Sequence, residues 1–291
     1  MFTDTSATPT RVELLIDVVR AMAGRKLTQQ TVRELLQPPG LPALTEQSKQ
    51  AQEVLSAARL LGLISDEADG QIKLVQARDA RPAAEILRET LDDKVLSSEA
   101  VEPWFALFYA YLLGRNLPAC PNDGSAFEIA FNKDLFGDEK MPDRFNKTKY
   151  AGFRRWMRYA GLGWHDSADA FIANPYDRVR RALAQIFGKK RSMTSVEFMQ
   201  NLAAVCPELD GGAIFLKANA DYDASIRKCT TGLSHALIDL HLAGVIELNC
   251  PLDSDGWSIA AAAPPNDGKQ LKSDKISTVS LPKALGSRQN G

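Results

Sequence analysis

The chain has 291 residues, 45% hydrophobic and 24% charged, enough for two or three domains that each bury a core, which excludes wholesale disorder. No apolar run approaches the roughly 20 residues of a membrane span, and the polar first ten residues hold no signal core, so a cytoplasmic protein without membrane contact is expected. The net charge of −1 hides an uneven distribution: 15 basic and 21 acidic residues over 1–140, 12 and 4 over 141–191, and 8 and 11 over 192–291.

In chain order, residues 11–23 place Val12, Leu15, Ile16, Val19 and Met22 at helical spacing, and Thr28 is positioned to cap a second helix reaching Leu36. A third helix ends in Arg59-Leu60-Leu61-Gly62-Leu63-Ile64. Glycine there supplies the left-handed backbone that stops a helix, and the apolar pair after it opens a strand. Residues 63–65 and 71–75 read as short strands around an Asp69-Gly70 turn. This gives three helices, a strand, a turn and a strand over 10–76, followed by a linker over 77–100 with a helical stretch at 82–91.

The same order recurs twice. Over 101–174, residues 102–113 and 126–136 precede a helix predicted over 143–160, which ends in Ala160-Gly161-Leu162, and Trp164 with Phe171-Ile172 can form the hairpin. Over 175–262, residues 176–187 and 195–205 read as helices, the second with Thr194 and Glu197 at capping-box spacing. A long helix then ends in Ala243-Gly244-Val245-Ile246, and residues 245–249 and 256–260 flank a polar turn. Aligned on the three glycines, Ala51, Val54, Ala58 and Leu61 fall opposite Tyr150, Phe153, Met157 and Ala160, and opposite Leu233, Ala236, Leu240 and Ala243. Arg154 departs from the pattern, standing where the other copies have Leu55 and Leu237. Residues 263–291 are rich in Pro, Gly, Ser, Lys and Asn and read as a flexible tail.

The expected fold class is therefore mainly α with small β wings, and over residues 10–262 the chain resembles tandem winged helix-turn-helix proteins. Within that group it resembles the winged-helix accessory proteins of bacterial DNA-modification and phage-defence clusters. The resemblance transfers no catalytic residues.

No phosphate-binding loop, GxGxxG, GxSxG or HExxH occurs. Cys120, Cys206, Cys229 and Cys250 are scattered singly, and His165, His235 and His241 form no ligand cluster, so neither a metal nor a cofactor is expected, and no enzymatic activity. The informative constellation is the basic segment 141–191. Arg144, Asn146, Lys147, Lys149, Arg155 and Arg158 surround a helix whose Tyr150, Phe153 and Met157 face a core, a chemistry suited to phosphates, with Asn146 or an arginine able to reach base edges. Arg178, Arg180, Arg181, Lys189, Lys190 and Arg191 form a second run, and Arg227, Lys228 and Thr231 stand near the start of the last long helix. The expected function is a non-enzymatic DNA-binding component of a larger bacterial assembly, with protein partners or self-association. The alternative is a protein scaffold that uses the same units without DNA.

Overall fold

The computed structural model describes residues 7–36, 45–75, 79–97, 99–101, 103–116, 124–137, 145–249, 251, 256–260 and 274–282. Among them are eleven α-helices and nine short strands, so the protein is mainly helical with small antiparallel sheets. The chain divides into two units, one of Met1–Ala106 with Asn122–Ala160 and the other of Leu107–Pro121 with Gly161–Gly291.

In the first unit, α1 (Pro9–Ala21), α2 (Gln29–Leu36) and α3 (Thr45–Leu60) precede a hairpin of β1 (Ile64–Asp66) and β2 (Ile72–Leu74). The Thr28 hydroxyl accepts from the Thr31 N–H at 3.2 Å, which is the expected helix start. Val12, Leu15, Ile16 and Val19 of α1, Val32 of α2 and Val54, Leu55 and Ala58 of α3 form the core. Thr28 also bridges to Gln71, and the Ile72 N–H donates to the Leu27 carbonyl at 2.7 Å. The segment before α2 thus pairs with β2, giving the spatial order Thr28 segment, β2, β1. The helical stretch after the hairpin, α4 (Ala83–Lys94), lies against α1 and buries Ile86, Leu87 and Leu91 in this same unit.

The second copy of the order comprises α5 (Pro103–Gly114), α6 (Ser125–Phe136), α7 (Lys147–Tyr159), β3 (Gly163–His165) and β4 (Phe171–Ala173). It is divided between the units: α6 and α7 belong to the first, β3 and β4 to the second, and α5 passes from one to the other between Ala106 and Leu107.

The second unit continues with α8 (Tyr176–Phe187), β5 (Ser192–Thr194), α9 (Ser195–Val205), α10 (Ala213–Ala218), a 3-10 turn at Ala224–Ile226, α11 (Thr231–Leu242), β6 (Glu247–Asn249), β7 (Trp257–Ser258), β8 (Lys275–Ile276) and β9 (Thr278–Ser280). Two expectations are corrected here. Residues 245–249 do not pair with 256–260: β6 pairs with β9, and β7 with β8. The tail expected over 263–291 includes structured strands, because β9 buries Val279 at the centre of a sheet ordered β5-β9-β6. The physical reason is that β9 gains pairing on both edges at once, which outweighs the polar composition around it. The order, segment before the second helix, last strand, first strand, is the one seen around Thr28.

Gly62, Gly161 and Gly244 have φ of 67°, 73° and 70°, the left-handed conformation expected of a helix stop. Of the twelve residues aligned on them, all but Ala243 are buried.

Candidate nucleic-acid interface

The basic helix of the first unit is α7. It begins at Lys147 rather than near 143 because the Asn146 side chain accepts from the backbone N–H groups of Thr148 and Lys149, at 3.1 and 3.0 Å. Its inner face is aromatic. Tyr150, Phe153, Trp156 and Met157 are all buried, with Phe153 edge-on to Phe105 at 5.5 Å between ring centroids and 5.8 Å from Phe145. The Trp156 indole N–H donates to the Ala7 carbonyl at 3.0 Å, which ties α7 to the start of α1.

Arg154 is buried too, at 5% exposure, with its guanidinium 5.6 Å from the Tyr150 ring centroid. The cation that broke the sequence pattern therefore belongs to the interior.

The outer face carries Thr148, Ala151, Arg155 and Arg158, all exposed and spaced by three and four residues into one stripe. Two arginines occupy its C-terminal half, and two small side chains its N-terminal half. Arg88 of α4 adds a cation that sequence reasoning missed. Its Nε donates to the Tyr159 carbonyl at 3.3 Å, and its guanidinium lies 5.2 Å from the Tyr159 ring centroid, at the negative end of the α7 dipole. Nothing in the sequence relates residue 88 to residue 159.

The other sequence candidates separate. Arg144 and the Lys147 side chain lie outside the described residues, and Lys149 is half-buried. Asn146 spends its carbonyl oxygen on the helix cap, so its structural role displaces the expected base contact through that atom. Lys189, Lys190 and Arg191 are exposed but lie in the second unit. Arg178, expected in the same basic run, is buried: its Nε donates to Glu208 Oε1 at 2.9 Å and its Nη2 to the Val205 carbonyl at 3.1 Å. An interior arginine requires such a partner, and Glu208, fully buried, provides it.

Near the last long helix, Arg227 adopts a left-handed φ of 51°, Lys228 bridges to Ser258, and the Thr231 N–H is donated to Asn116 Oδ1 at 2.7 Å. The accessible side of α11 is Thr231, His235, Asp239 and Leu242, with no lysine or arginine. Ser234 and Ile238, equivalent on the glycine alignment to Ala151 and Arg155, are buried. The Ala260 N–H donates to the Ser234 hydroxyl at 2.9 Å, so the segment after β7 covers that face. On α3 the side facing out includes Gln52, Ser56 and Arg59, and Arg59 is paired with Asp66 at 2.6 Å. Of the three equivalent helices, α7 has the cationic outer stripe.

Among the described residues no group of three or more His, Cys, Asp or Glu side chains is placed to hold a metal ion, and no helix is long and apolar enough to cross a membrane. Cys206 and Cys229 are buried free thiols.

A family model described as DpdG-like matches residues 1–254, and the chain belongs to that family. Membership is consistent with a protein of a bacterial DNA-modification cluster. No curated protein and no solved structure matches the chain.

Proposed function

We propose, taking membership of the DpdG-like family as the premise, that this protein is a non-enzymatic DNA-binding component of a bacterial DNA-modification assembly, built from winged-helix units and contacting duplex phosphates through α7. The observation that carries the reading is the α7 stripe of Thr148, Ala151, Arg155 and Arg158 over a fully buried aromatic face. Such a helix is held rigidly from behind, so its arginines meet a polyanion without a large ordering cost. The two small residues let the helix approach a groove closely.

The winged-helix reading is supported by strand order. Thr28 segment, β2, β1 in one copy and β5, β9, β6 in another are the same arrangement, reached from sequences with little in common. The hairpin of β3 and β4 has a different character: its turn contains Asp166 and Asp169, and the Asp166 carboxylate accepts from the N–H groups of Ala168 and Ala170, both at 2.9 Å. Phosphate attraction therefore falls to the helix rather than to that wing.

The test is duplex binding across a salt series with Arg155→Ala/Arg158→Ala. The double variant is expected to fold normally, to lose about tenfold or more in affinity for every sequence, and to flatten the salt dependence by up to about two units of slope. A folded variant with parent-like affinity and slope overturns the reading. The scaffold alternative draws on exposed apolar residues such as Ile129, at 69%, and Trp164, at 45%. It is favoured if the parent chain does not bind duplex DNA.

A further inference from the structure

The turn after α8 concentrates charge in a way that the α7 reading does not use. The chain leaves α8 through Gly188, at a φ of 54°, and presents Lys189, Lys190 and Arg191 in succession, all exposed. One cation just beyond a helix C-terminus is ordinary stabilisation of the helix dipole; three consecutive cations repel one another and exceed that need. One carboxylate answers them, that of Glu197, paired with Lys190. Arg191 turns instead to neutral backbone: its Nη2 donates to the Pro282 carbonyl at 2.6 Å, and the Leu281 N–H donates to the Arg191 carbonyl at 2.9 Å.

These two bonds extend the β5–β9 pairing and deliver the end of β9 to the basic turn. The next residue in sequence is Lys283, one peptide unit of about 3.8 Å beyond Pro282, and residues 283–291 contain Lys283 and Arg288 and no acid. The fold thus spends hydrogen bonds on bringing a basic segment to a basic turn, an arrangement that is favourable when a polyanion lies across both.

We infer that the Lys189–Arg191 turn, with the segment that Arg191 holds beside it, is a second and sequence-independent contact for DNA phosphates, separate from α7 and located in the other unit. This rests on the DNA-binding reading. It adds a contact that holds the duplex without selecting its sequence, since lysines on a turn meet phosphate as point charges.

The experiment uses the full chain and a labelled mixed-sequence duplex of about 30 base pairs, followed by fluorescence anisotropy across a salt series. Lys189→Ala/Lys190→Ala is expected to weaken binding about threefold to tenfold and to lower the salt slope by up to about two units, with unchanged thermal unfolding because both side chains are exposed. Lys283→Ala/Arg288→Ala is expected to act in the same direction. Glu197→Gln, which removes the carboxylate paired with Lys190, is expected to tighten binding, an outcome that a merely solvated turn does not produce.

Arg155→Ala/Arg158→Ala is measured beside them. If that variant weakens binding while Lys189→Ala/Lys190→Ala matches the parent, the second contact is overturned and the α7 reading stands. If the turn variant weakens binding and the α7 variant does not, the reverse holds. A parent chain with no affinity for the duplex overturns both.

Discussion

At the scale of single residues, the second unit buries more charge than it neutralises. Arg178 meets Glu208, but Asp210, two residues on, is also fully buried, and its two oxygens accept from the Thr230 N–H at 2.6 Å and the Thr230 hydroxyl at 2.8 Å. Burial pushes Asp210 up to about 6, against the hydrogen bonds from Thr230 that pull it down. The buried phenol of Tyr109 and the buried thiol of Cys229, both facing these carboxylates, are pushed up as well, mainly by burial, and stay neutral. Thr230 caps α11 by accepting from the Leu233 N–H, so Asp210 holds the residue that starts that helix. Because its folded value lies above the ordinary 3.8, the folded chain binds the proton more tightly than the unfolded chain does. Its contribution to stability is therefore greatest below about pH 4, declines as pH rises towards about 6, and is level above that, a change of about 3 kcal/mol. Asp210→Asn is expected to remove this decline. The measurement is urea unfolding at pH 4.5 and 7 for parent and variant; parallel pH responses in the two would refute it.

At the scale of elements, what sequence made legible was what local chemistry decides. Thr28, Asn146 and Thr194 start their helices by side-chain capping, and the three glycines stop theirs, so these boundaries follow from neighbouring residues. The hairpins β1–β2 and β3–β4 close over a few residues and were legible for the same reason. Strand β9 was not, because its partners lie about 30 and 85 residues away, and three residues of Thr-Val-Ser among polar neighbours carry no alternation to read. The candidate site shows the same division. The buried face of α7 followed from its spacing, whereas Arg154 and Arg178 read as surface cations because their partners, an aromatic ring and a distant glutamate, come only with the fold.

Since β9 is the central strand, removing residues 274–291 leaves β5 and β6 without their shared partner and exposes the site of Val279. That truncation is expected to lower the melting temperature of the second unit or unfold it, while removal of 283–291 leaves melting unchanged. Circular dichroism melts of the two truncations decide it; equal melting of both would mean that β9 adds nothing to the sheet.

At the scale of the whole molecule, the chain passes between its two units three times, so no single cut separates them: the first unit takes back residues 122–160 after the second has taken 107–121. The residues lent to the second unit are not loose. Tyr109 is buried and its hydroxyl donates to the Leu162 carbonyl at 2.9 Å, and Asn219 Nδ2 donates to the Ala110 carbonyl at 3.0 Å. Leu113 packs so close to Gly232 that a Cβ there would lie 2.6 Å from its Cδ1. Phe108, Tyr111 and Leu112 are buried as well. A fragment of residues 1–160 therefore carries this apolar half of α5 without the unit that covers it, and a fragment of 161–291 lacks the element its own polar groups were built around. Expressed separately, the first fragment is expected to aggregate and the second to melt broadly or not fold, whereas co-expression of the two is expected to restore a soluble pair, because the only covalent break falls between Ala160 and Gly161. Size-exclusion chromatography and thermal melts of each fragment and of the pair provide the readout. Independent, cooperative folding of 161–291 with a parent-like melt would mean that residues 107–121 are dispensable to the second unit and that the chain is a simple series of autonomous modules.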